Sequence, residues 1–148
     1  VMSTYEASPF CEKYVLEALC VMDRTDLAVQ RMMDRYSGML EDEYDALWEK
    51  FSEPIGTFNH GWSAAPMYIL SKYVAGIQPT SGGYETYCIA PSTVLERFSC
   101  AAYTPKGVIT VEKDGSTLTI TAVSGGTLVL PGGEKIPLEE GTHTYSIA

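Results

Sequence analysis

Up to about residue 80 the apolar residues recur three and four positions apart, and from Gly83 onward they alternate at every second position. The first regime predicts four helices. Ser8 supplies an N-cap hydroxyl and Pro9 a first helical position, followed by an apolar face of Phe10, Tyr14, Val15, Ala18, Leu19 and Met22 that ends near Asp23. Thr25 caps a second helix, apolar at Leu27, Val29, Met32, Met33 and Tyr36 and closing at Gly38. The acidic run from Glu41 to Asp45 suits the positive start of a third helix, whose Tyr44, Leu47, Trp48 and Phe51 share one face until Pro54 and Gly56 break it. A fourth helix, about 64–74, is apolar nearly all round, through Ala64, Ala65, Met67, Tyr68, Ile69, Leu70, Tyr73 and Val74. Three other helices are too few to cover such a surface, so this part reads as a piece of a larger helical domain.

The second regime predicts short strands at 84–90, 98–103, 108–113, 116–122, 127–130 and 142–147, rich in Thr, Val, Ile and Tyr. Asp114-Gly115 suits a type I′ hairpin turn, while Gly125-Gly126 and Pro131-Gly132-Gly133 punctuate the remainder. Regularly spaced strands with such turns predict an antiparallel β-sandwich, which makes the chain α+β in two parts, residues 1–80 and 81–148.

Composition refines this picture by exclusion. At 148 residues, 45% hydrophobic and 20% charged, the chain is long enough and apolar enough for one sizeable domain or two small ones. A formal net charge of -9 opposes nucleic acid or an anionic membrane as partner. No apolar run approaches the roughly 20 residues that span a bilayer. Val1 to Ser8 has neither the basic nor the apolar region of a secretory leader, and the chain reads as beginning inside a longer sequence.

Cys11 and Cys20 stand about 13 Å apart along one helix at 1.5 Å per residue, too far for a disulfide. Cys88 and Cys100 fall in strands and could in principle meet, and no spacing among the 4 cysteines is that of a zinc site. All read as reduced packing residues, and no metal or other cofactor is expected. Met32, Met33 and Met39 read as core filler.

Candidate chemistry gathers between Ala46 and Trp62. Glu49 flanks the apolar face of the third helix, and the loop after it delivers Phe58, Asn59, His60 and Trp62 to the start of the fourth. A carboxylate, an imidazole and aromatic rings at one edge of a helical scaffold are the parts of a sugar-binding cleft, since rings stack on sugar C–H faces and the polar groups bond hydroxyls. Spacing alone leaves each residue with a plainer alternative. Glu49 also fits a solvated helix flank, His60 a packed structural imidazole, and the aromatics a core. His143, between two threonines, reads as a strand-face residue with no chemical task.

The order of motifs resembles the C-terminal part of bacterial α-L-rhamnosidases. The resemblance rests on Ser8-Pro9-Phe10, Tyr14-Val15-Leu16-Glu17-Ala18-Leu19, Met39-Leu40, Ala46-Leu47-Trp48-Glu49 and Asn59-His60-Gly61-Trp62-Ser63-Ala64-Ala65-Pro66. It continues through Val74-Ala75-Gly76-Ile77-Gln78-Pro79, Pro91, Tyr103-Thr104-Pro105-Lys106-Gly107, Leu130-Pro131-Gly132 and Gly141-Thr142-His143. It implies the last helices of an (α/α)6 catalytic barrel, up to about residue 80, followed by a C-terminal β-sandwich. It also implies hydrolysis of terminal α-L-rhamnose from a glycoside or polysaccharide with inversion, which takes two carboxyls roughly 6.5–9.5 Å apart with a water between them. By the same resemblance Glu49 is the general base, His60 hydrogen-bonds the rhamnose and Trp62 helps wall the pocket.

Two departures qualify the resemblance. No segment here corresponds to the family's general acid, so the remainder of the barrel becomes a required partner and the isolated chain is expected to be inactive. Phe51 stands where the family often has tryptophan, and Asp45-Ala46 where it often has threonines. The competing readings make the sandwich a carbohydrate-binding module in its own right, or a structural cap with no catalytic role.

Overall fold

The structure, a computed structural model, describes residues 6–41, 43, 46–52 and 56–147. They form two compact units, Val1–Ile69 and Leu70–Ala148. The division lies before residue 80 because the segment that follows Ile69 carries a strand belonging to the second unit's sheets.

In the first unit, α1 spans Pro9–Val21 and α2 spans Thr25–Glu41, with a short α3 at Ala65–Ile69. Ser8 caps α1 as its type and position predict, its Oγ accepting from the Cys11 N–H at 3.4 Å with Pro9 in the first turn. Of the predicted apolar face of α1, only Leu19 is buried. Glu12, Leu16, Leu19 and Cys20 face inward, whereas Phe10, Tyr14 and Met22 are exposed. The reason is an ion cluster that apolar periodicity does not register. Glu12 is 0% exposed and Arg31 1%. The Arg31 guanidinium grips the Glu12 carboxylate through Nε to Oε1 and through Nη2 to Oε2 at 3.1 Å. Arg35 Nη1 lies 3.2 Å from the same Oε2, and Arg35 Nη2 donates to the Ala7 carbonyl at 2.7 Å. A carboxylate stripped of water is tolerated only when paired and hydrogen-bonded; Arg31 does both, and Arg35 adds a second positive charge.

The second helix turns inward through Ala28, Arg31, Met32, Tyr36 and Met39, so two of the three methionines fill the core while Met33 is exposed. It does not stop at Gly38. The Trp48 ring lies over that glycine, where a methyl group would already be in contact at 3.7 Å, and the helix continues to Glu41.

The expected third helix is absent among the described residues. Trp48 forms a β-bridge with Phe58 instead, so Leu47, Trp48 and Phe51 occupy a short ribbon rather than a helical face. Tyr44, Asp45 and Pro54, also assigned to that helix and its end, lie outside the described residues. The expected fourth helix is α3, and the residues after it, Leu70–Val74, form a π-helical turn closed by the Ala75 N–H on the Leu70 carbonyl at 2.8 Å. Ala65, Ile69 and Val74 are buried, but Met67, Tyr68 and Leu70 are exposed.

The described residues of the second unit form eight strands: β1 Ile77–Pro79, β2 Tyr87–Ile89, β3 Arg97–Thr104, β4 Gly107–Asp114, β5 Thr117–Ala122, β6 Gly126–Val129, β7 Lys135–Leu138 and β8 Gly141–Ser146. They make two four-stranded sheets ordered β1-β2-β6-β7 and β3-β4-β5-β8. The described residues are therefore α+β, as expected. The pairing is antiparallel except for β2 with β6, which are parallel because β3 to β5 intervene between them in the chain. Neither β1 nor β7 was predicted. Each carries a proline, Pro79 or Pro137, and a residue without an N–H is accommodated there because both strands lie at sheet edges.

The β4–β5 hairpin forms, but Asp114 pairs with Thr117, which leaves Gly115-Ser116 as the loop. Of these only Gly115 has positive φ, so the turn is not the type I′ expected from Asp-Gly.

Both sheets contribute to one apolar cluster, with Ile77, Tyr87, Ile89 and Leu128 from the first and Ile109, Val111, Leu118 and Ile120 from the second. Cys88 and Cys100 lie on different sheets. Inside the core, the Tyr87 hydroxyl donates to the Val123 carbonyl at 2.7 Å and accepts from the Val123 N–H at 3.1 Å, satisfying the backbone where β5 ends. His143 sits half-buried on β8, its Nε2 2.8 Å from the Glu139 carbonyl. No helix among the described residues is long and apolar enough to cross a membrane.

The ion cluster generates a stability test. Glu12→Ala leaves two buried guanidinium groups without their carboxylate and is expected to cost about 3–5 kcal/mol in urea unfolding. The double variant Glu12→Leu/Arg31→Met removes charge from both sides and is expected to retain more stability than Glu12→Ala alone.

Candidate active site

The ribbon between α2 and α3 builds the site. Glu49 N–H donates to the Thr57 carbonyl at 3.1 Å and His60 N–H to the Leu47 carbonyl at 2.9 Å, on either side of the Trp48–Phe58 bridge. Three contacts seat the ribbon on the helices. The Trp48 N–H approaches Met39 Sδ at 3.5 Å, the Phe51 ring meets Tyr36 edge-on at 5.0 Å, and the Arg35 guanidinium lies 4.0 Å from the Phe51 ring centre. Burial, and after it the Glu12 charge, push the Tyr36 hydroxyl above the ordinary tyrosine range, so it stays protonated.

His60 precedes the single 3-10 turn Gly61–Ser63, which points the chain into α3. Buried Ser63 pins this turn to the ribbon by donating from Oγ to the Trp48 carbonyl at 2.5 Å.

The structure brings Glu49, His60 and Trp62 into one chain of contacts. Glu49 Oε2 accepts from the Thr57 N–H at 3.0 Å and from Thr57 Oγ1 at 3.1 Å. The same Oγ1 lies 2.5 Å from His60 Nδ1. The His60 ring then rests against Trp62, with centroids 4.1 Å apart, and Trp62 in turn meets Phe10 of α1 at 5.7 Å. Glu49 and His60 are half-buried, while Trp62 is 44% exposed and Phe10 47%. Glu49 is thus neither locked in packing nor aimed away from the imidazole.

The electrostatics follow from this geometry. The two Thr57 hydrogen bonds, with smaller help from His60 and Lys50, hold the Glu49 carboxyl below its ordinary range despite some loss of hydration. It is therefore ionised throughout the neutral range and acts as an acceptor. Among the described residues no group of three or more His, Cys, Asp or Glu side chains is arranged to hold a metal ion.

One residue of this arrangement, Thr57, has no signature in the sequence, and the part played by a second, Gly56, goes beyond breaking a helix. Thr57 bridges the carboxylate and the imidazole. Gly56 has φ +107°, and a Cβ built there would lie 2.6 Å from Glu49 Oε2, so only glycine lets the carboxylate fold back onto Thr57. Two positions after Pro54, the glycine reads as a helix breaker, which hides this second role.

Comparison with known proteins adds a family likeness. Neither a protein-family model nor a curated protein matches the sequence. A solved structure does: 89% of the chain aligns with a GH78 family rhamnosidase of Bacillus sp. GL1, with a TM-score of 0.65 and 25% sequence identity. The chain spans only 16% of the length of that protein. Over most of its residues the chain is therefore similar to one part of a glycoside hydrolase.

The geometry predicts how Glu49 titrates. In carbon-detected titration of the side-chain carboxyls, Glu49 is expected to stay ionised to lower pH than an ordinary glutamate, whose midpoint is about 4.3. Gly56→Ala forces the carboxylate off Thr57, and the midpoint is expected to rise toward that value. An unmoved midpoint in the folded variant would show that Thr57 does not hold the charge.

Proposed function

We propose that this chain is the C-terminal part of an inverting α-L-rhamnosidase, its helices completing an (α/α)6 barrel and its two sheets forming the β-sandwich that follows. In this reading Glu49 is the general base, while His60 and Trp62 bind the sugar of a rhamnose-containing glycoside or polysaccharide. The observation that carries it is an ionised carboxylate linked through Thr57 to half-buried His60, which rests against exposed Trp62, in a chain similar to a GH78 rhamnosidase.

The chemistry suits the parts. Inversion begins with a water between two carboxyls, one of them ionised. Oε2 of Glu49 is engaged by Thr57, which leaves Oε1 to take a proton from that water as its oxygen bonds the anomeric carbon. The bond from that carbon to the aglycone oxygen breaks, and a general acid protonates the departing oxygen. That acid would come from the part of the barrel beyond these 148 residues. A depressed proton affinity keeps Glu49 ready at acidic pH at some cost in basicity, a trade-off general to such catalysis. The Trp62 face offers a stacking surface to sugar C–H groups.

In a polypeptide that includes the rest of the barrel, Glu49→Gln is expected to lower kcat on an aryl α-L-rhamnoside by about 10²–10⁴-fold. Proton NMR of the wild-type reaction should show the β-anomer of rhamnose first. Because the folded-state affinity of Glu49 for protons is depressed, the acid limb of the rate profile should lie below the ordinary glutamate range. A near-neutral Glu49→Gln, or first release of the α-anomer, would overturn the assignment.

A further inference from the structure

We propose that Thr57 is a positioning residue that fixes the tautomer of His60 according to the charge on Glu49. The argument is a count of hydrogens. An ionised carboxylate only accepts, so the 3.1 Å contact between Thr57 Oγ1 and Glu49 Oε2 takes the single hydroxyl hydrogen. That oxygen then has only lone pairs to offer His60 Nδ1, 2.5 Å away. Nδ1 must therefore carry the hydrogen in either charge state of the ring.

Neutral His60 consequently presents a lone pair at Nε2, an acceptor for a hydroxyl hydrogen. The opposite tautomer would present a donor there. The Thr57 N–H, fixed by the ribbon and 3.0 Å from the same Oε2, anchors the carboxylate end, and the Trp62 ring covers the imidazole at the other. Among the described residues, the titratable groups acting on this carboxylate through space are His60 and Lys50.

The ligand this selects is a polyol ring that donates, rather than accepts, at the position facing Nε2. That ligand class rests on the proposed function; the tautomer does not. Three residues thus act as one unit, in which loss of the carboxylate frees the threonine hydrogen to bond Nδ1 and turns Nε2 into the donor.

The test is nitrogen-15 NMR of the imidazoles in this chain, above the pH at which the rings protonate. The chain has 2 histidines, so His143 is an internal control. Wild type is expected to show His60 protonated at Nδ1, Thr57→Ser to keep that tautomer, and Thr57→Val and Glu49→Ala to shift it to Nε2. His60 found protonated at Nε2 in wild type, or unmoved in Glu49→Ala, overturns the proposal. If Thr57→Val fails to fold, the Ser and Glu49 variants still decide it. In the longer polypeptide, Thr57→Val is expected to raise KM for the rhamnoside about tenfold, with Thr57→Ser near wild type. The expected tautomer together with no rhamnoside turnover would remove the proposed function and leave the Thr57 assignment standing.

Discussion

The Glu12 carboxylate is buried from solvent where α1 meets α2, and the first unit is arranged around that fact. Arg31 and Arg35 neutralise it, which sets the rotation of both helices about their axes. Arg35 does more than balance charge. It also ties the residues ahead of α1 through Ala7 and lies against Phe51, so the ribbon that carries Glu49 leans on the same guanidinium that closes the ion cluster. A buried pair of this kind contributes less stability than its contacts suggest, since desolvation opposes the attraction. Its value here is register: with α1 so rotated, Phe10 is turned outward to meet Trp62.

The site itself depends on close approach. The two hydrogen bonds from Thr57 to the Glu49 carboxylate exist only because Gly56 has no side chain to occupy the space. Hydrogen bonds to an ionised acceptor are about twice as strong as neutral ones, so a modest ribbon with little burial can still hold its carboxylate in one orientation. The same exposure that limits its contribution to stability leaves the carboxylate and the aromatic faces open to a ligand.

Much of the fold was legible. The Ser8-Pro9 start of α1 was readable because a cap is a local device, decided by two adjacent residues. The strands from β3 to β6 followed from alternation, since one face of each packs into a shared core. Where reading failed, a nonlocal partner had overridden local preference. Leu47, Trp48 and Phe51 have helical spacing, yet Trp48 bridges Phe58 and lies over Gly38. Strands β1 and β7 were hidden by prolines that only an edge position accommodates. The Glu49, His60 and Trp62 grouping was visible because residue type and proximity in sequence already brought them close. Thr57 was not, since a threonine in a loop has no signature until its hydroxyl is seen between two other side chains.

By itself the sequence determined the two regimes of the chain, the Ser8 cap of α1, and the closeness of Glu49, His60 and Trp62. These depend on neighbours within a few residues, where backbone geometry allows few alternatives. Tertiary structure alone decided that Glu12 is buried, that residues 47–49 pair with residues 57–60 as a ribbon, and that one hydroxyl stands between Glu49 and His60. Each of these depends on a partner brought near by folding, through electrostatic and packing forces that act over distances in space and leave no period in the order of residues.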